Sequence, residues 1–81
     1  MSSCSDRTIE SVRAEALFVS TVQASEAPGG AQVRDAVTAT LHRLGELGCA
    51  VHVAGEYGEH PDTAAARMGW AITTVRTAFP L

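Results

Sequence analysis

The sequence has no lysine and no asparagine, and only one Trp, one Tyr and two Phe supply its aromatic surface. The first absence reflects a GC-rich gene, since both residues have AT-rich codons, but its chemical consequence stands. Without lysine there is no Schiff-base amine and no phosphate-binding loop of the usual kind. Cysteine is scarce too, at positions 4 and 49 alone. Two thiols so placed make no disulfide framework; Cys49, among apolar neighbours, reads as a small buried hydrophobe and Cys4 as an untethered thiol. No apolar run approaches the roughly 18 residues of a membrane span. The start lacks the basic and apolar regions of a signal peptide, so the cytoplasm is the expected compartment. Positive charge is short as well: the net charge is −3, which gives no bulk attraction to nucleic acid.

What remains is a chain of 81 residues, 46% hydrophobic, much of it alanine and valine. Such a chain makes one domain and buries only about 60–65% of its unfolded surface. The core is therefore thin, with Phe18, Tyr57, Trp70 and Phe79 contributing much of its area. Residues 1–5, small and polar, are expected to be a flexible start, and 6–81 a single helical domain. A protein partner or self-association would help a fold of this size.

The stretch 60–79 organises the rest. Pro61 suits the first position of a helix, Asp62 and Thr63 suit the positive end of its dipole, and Pro80 ends it. Between them Ala64, Met68, Ala71, Ile72, Val75 and Phe79 recur at three- and four-residue steps, so one apolar stripe runs down the helix. Earlier, 7–25 shows two adjacent apolar tracks, one through Ile9, Val12, Ala16, Val19 and Gln23, the other including Leu17, Phe18, Thr21 and Val22. Ser5 or Asp6 is placed to cap it. The Pro28-Gly29-Gly30 run allows positive φ and a chain reversal. A second helix is expected over 31–47, with Gly48 as the left-handed residue beyond its end. The segment 49–57 reads as a short strand or as a helix; a lone strand would leave its backbone unpaired, so helix is preferred. The expected fold is all-α, a small bundle of three main helices plus one short helix.

Chemistry-bearing clusters are sparse. Cys49, His52 and His60 have no fourth ligand at a zinc-like spacing, so no metal site is expected. Glu56, Glu59, His60 and Asp62 gather at one turn, as helix capping alone would gather them. No catalytic residue and no cofactor is assigned, and the chain is expected not to be an enzyme, since so small a bundle leaves little room for a water-excluding pocket.

The segment 53–68, VAGEYGEHPDTAAARM, resembles the helix-turn-helix of sigma-factor region 4 and related response-regulator output domains. Ala54, Gly58, Thr63 and Arg67 stand in the matching places. The resemblance covers about a fifth of the chain and implies a DNA-binding transcriptional regulator that contacts DNA through Thr63 and Arg67. Glu59 departs from it, standing where the family has an apolar plug. Asp62 and three alanines also occupy the would-be recognition helix, so duplex binding is disfavoured.

Trp70 lies beside the apolar stripe of 60–79 rather than on it. It either packs on a neighbouring helix edge or forms a partner contact, with Arg67 and Arg76 at its rim. The leading expectation is thus a non-enzymatic protein-interaction or accessory module, regulatory and able to self-associate, with Trp70, Arg67 and Arg76 as partner-binding residues. The second is DNA binding through the helix-turn-helix.

Overall fold

The computed structural model describes residues 8–80, and everything described is helix, turn or extended connector, with no strand. Helix α1 spans Ile9–Val19, a single 3-10 turn covers Ala24–Glu26, α2 spans Gly30–Glu59 and α3 spans Pro61–Ala78. All three helices pack on one another. They enclose a core centred on Leu17, Val33, Cys49 and Val75, each less than 2% exposed. This is the expected all-α bundle. The expected flexible start at 1–5, Cys4 and the two proposed caps Ser5 and Asp6 lie outside the described residues. The cap that is described is Thr8, whose hydroxyl accepts from the Ser11 amide at 3.0 Å.

Helix α1 is shorter than its apolar pattern predicts. It stops at Val19, and Ser20 turns extended at φ −65°, ψ 170°. The Ser20 hydroxyl donates to Leu17 O at 2.6 Å and its amide reaches back to Ala16 O and Leu17 O. Serine thereby offers the chain an alternative to another helical turn. Two residues on, Val22 is buried from an extended segment, so Thr21, Val22 and Gln23 are not helical as the pattern suggested. The positive φ in the following connector falls on Ala27 (φ 48°, ψ 57°) instead of on Gly29 or Gly30.

Helix α2 is interrupted inside its length. Gly45 takes φ 73°, ψ 170°, a region that side-chain-bearing residues essentially never enter. The break divides α2 into a first arm, 30–44, and a second arm, 46–59, so a fourth helical segment exists as expected. Its boundary lies at Gly45 rather than Gly48. Gly48 is helical, and smallness matters there for another reason: a Cβ would meet Leu44 Cβ at 3.2 Å. Segment 49–57, for which helix is preferred over strand on the sequence, is helix within the second arm.

The second arm runs into α3 through one residue. Pro61 bars His60 from the α region, and His60 sits at φ −140°, ψ 69°. Its amide still closes the end of α2 on Glu56 O at 2.7 Å, while its carbonyl accepts from Ala64 N at 2.8 Å. Pro61 occupies the first turn of α3 and Phe79, before Pro80, ends it. The buried face of α3 is Ala64, Ala71, Val75 and Ala78, with Met68, Ile72 and Phe79 partly buried beside them. Small residues on this face let the helices approach closely.

Gly45→Ala should destabilise the fold by about 1–3 kcal/mol through backbone strain alone, because nothing lies within 4 Å of the added Cβ. Gly55→Ala, equally free of neighbours but helical, should stabilise by roughly 0.5–1 kcal/mol. Urea unfolding of the two variants should therefore shift in opposite directions.

Candidate functional surfaces

Of the three residues the sequence marks for a partner, Arg67 is turned inward. Its Nε donates to Phe18 O at 2.8 Å, and its Nη2 reaches Val22 O at 2.9 Å, Ser20 O at 3.1 Å and Leu17 O at 3.3 Å. The last carbonyls of a helix have no partner within it, and a guanidinium is a fixed fork of donors able to meet several at once. Positive charge also suits the negative end of the α1 dipole. Burial lowers the Arg67 pKa from its ordinary value, though an arginine stays protonated. The guanidinium also lies 5.0 Å from the Trp70 ring centre and 5.9 Å from that of Phe18, and Phe18 stacks on Tyr57 at 6.4 Å.

Trp70 is half-buried and packs against the core. Arg76 is exposed and pairs with Glu10 at 2.8 Å, which raises its pKa. The structure does bring Arg67 and Trp70 together, while Arg76 belongs to a separate patch between α1 and α3. The sequence did carry a signal for the inward turn of Arg67. It stands on the track Ala64, Arg67, Ala71, Thr74, Ala78, two of whose alanines flank it at helical steps.

Two other arginines are likewise used within the fold. Arg34 Nη1 donates to Ala78 O at 3.1 Å at the end of α3, and Arg13 lies 4.1 Å from the Phe79 ring centre, within cation–π range. Arg13 and Phe79, with Ile9, Val75 and the Glu10–Arg76 pair, line an open cleft of about 590 Å3. Both of its guanidiniums are already engaged.

The helix-turn-helix positions are arranged as follows. Ala54 and Gly58 are exposed on the second arm of α2, and Thr63 is exposed in the first turn of α3. Arg67, one turn later, is the carbonyl-binding residue just described. Only His60 separates the two helices. Cys49 is wholly buried, His52 and His60 are exposed, and among the described residues no three His, Cys, Asp or Glu side chains gather to hold a metal. Among those residues, no helix is long and apolar enough to cross a membrane.

A surface the sequence reading passed over is the outer face of the second arm. Leu47 is 77% exposed and Val51 64%. Leu47, Val51, Ala54 and Gly58 recur at steps of four, three and four, which is one helical stripe. It points away from Cys49 and Val53, the arm's buried residues. Ala54, Gly55 and Gly58 are exposed, and nothing approaches within 4 Å of where a Cβ on either glycine would lie. The arm is thus apolar on both faces, a pattern that normally marks a helix covered on both sides. The expected break at Gly48 hid this signal, because it assigned Leu47 to one helix and Val51 and Ala54 to the next. No protein-family model, curated protein or solved structure matches the chain.

Arg67→Ala should cost about 2–4 kcal/mol, more than a single hydrogen bond, because several carbonyls lose a charged donor together. Arg67→Lys should recover only part of this, since an ammonium cannot fork. Arg76→Ala should leave the unfolding midpoint nearly unchanged, as an exposed ion pair does. Thermal unfolding followed by circular dichroism checks all three.

Proposed function

We propose that the protein is a small non-enzymatic interaction module that docks through the outer face of the second arm of α2. The observation that supports this most is the exposure of Leu47 and Val51, at 77% and 64%, on the side of a helix facing away from its own core. Single exposed apolar residues are ordinary, but a contiguous stripe of them marks an interaction surface. The stripe, from Leu47 to Gly58, carries no charged side chain, and charge depletion is a property of interface centres.

This moves the docking surface from Trp70, Arg67 and Arg76 to a different helix. Arg67 and Trp70 serve the interior, where the guanidinium holds the end of α1 and lies over the indole. Duplex DNA is the less supported partner, because the basic residue of the would-be recognition helix is engaged with main-chain carbonyls and the chain is acidic overall. The apolar stripe offers nothing to a phosphate backbone.

Leu47→Asp tests the reading. The side chain touches little of the core, so helicity and unfolding midpoint should stay close to wild type. Affinity capture from extracts of the source cells should retain proteins on the wild type that the variant loses. Identical retention by both would overturn the docking face.

A further inference from the structure

We infer that the occupant of this face is a second copy of the same chain, packed antiparallel about a two-fold axis through the middle of the second arm. This rests on the docking reading above and adds the partner and the register. The stripe is self-complementary in size. Pairing two arms antiparallel about the centre of 46–59 places Leu47 of one copy over Gly58 of the other, and Val51 against Ala54. The two-fold axis repeats each contact, as an isologous interface requires. Large residues therefore fall on small ones at every level of the stripe, and the open space around Gly58 is where the Leu47 side chain enters. A parallel pairing would instead set Leu47 on Leu47 and leave the glycines facing each other.

Charge selects the same direction. Arg43 precedes the second arm just before the Gly45 turn, while Glu59 closes the arm and Asp62 follows in α3, all exposed. Antiparallel arms bring the basic end of one copy to the acidic end of the other; parallel arms would superimpose like charges. Glu46 lies in helical projection on the opposite flank of the arm from Glu59, so these two carboxylates do not meet across the pair.

Size sets the strength. An arm of about 14 residues is roughly 21 Å long. Such a contact falls short of the roughly 800 Å2 per partner of a standard stable interface. The dimer is accordingly a dynamic one, with a dissociation constant in the micromolar range.

Sedimentation equilibrium of the full chain from about 1 μM to about 1 mM provides the test. The wild type should pass from monomer to dimer within that range, and Leu47→Asp should weaken the association at least tenfold. Gly58→Leu is the sharper variant, since it adds apolar surface but fills the space that Leu47 of the second copy needs. It should also weaken dimerisation at least tenfold, and adding Leu47→Ala to it should restore much of the loss by exchanging large for small. Circular dichroism of each variant confirms that the helices persist. A wild type that remains monomeric throughout overturns the two-fold pairing, while the docking face itself fails only if capture is insensitive to Leu47→Asp. Tighter association of Gly58→Leu would overturn the antiparallel register.

Discussion

The guanidinium of Arg67 lies against the carbonyls of Leu17, Phe18, Ser20 and Val22, and the way α1 ends depends on that contact. A helix end buried without partners for its carbonyls is costly. Here the end is closed by Ser20 from within and by Arg67 from α3, some 45 to 50 residues away in sequence. The chain can then leave the helix, bend at Ser20 and Thr21 and return Val22 to the core. In a fold whose total stability is expected to be about 4–12 kcal/mol, a set of charged hydrogen bonds of this kind is a large share. It also fixes which face of α3 meets α1, and so where the alanines of α3 pack. The Trp70 and Phe18 rings lie by the same guanidinium and Tyr57 stacks on Phe18, so much of the aromatic surface is organised around one positive group.

Gly45 is the second constraint. Without a break there, α2 would be a single rod of 30 residues, about 45 Å long, longer than the largest dimension of the molecule, 35 Å. The turn at Gly45 folds the second arm back against α1 and α3, burying Cys49 and Val53. The same turn leaves Leu47 and Val51 facing outward. The domain thus turns the half-buried Arg67 toward its own helix end and presents an uncharged apolar stripe to its surroundings.

Much of the architecture was legible. Pro61 and Pro80 bounded α3, Pro28 marked the first connector, and the helical stripes of the three main helices identified most of the core. The misplaced boundaries have local causes that periodicity does not record. The apolar pattern of 7–25 continues past Val19 because Val22 is buried, but it is buried from an extended segment, and a buried valine reads alike in either case. The break between 31–47 and 49–57 was expected at Gly48, whereas Gly45 takes the non-helical conformation. Two glycines three residues apart are locally equivalent, and periodicity alone does not choose between them. The role of Arg67 was hidden for a different reason. Its place among the alanines of α3 hinted at burial, but the carbonyls that draw it inward exist only once α1 has ended.

The interior is closed around Arg67, and the proposed contact with other molecules lies on the second arm of α2. A dilution series of proton–nitrogen correlation spectra tests this most directly, because it reports each amide separately. The expected result is concentration-dependent shifts confined to the amides of about 46–59 and their immediate neighbours, with Phe18 to Val22 and the Arg67 side chain unchanged. Shifts centred on Trp70 and Arg76 would contradict the proposed surface, and spectra identical at every concentration would contradict its pairing with a second copy.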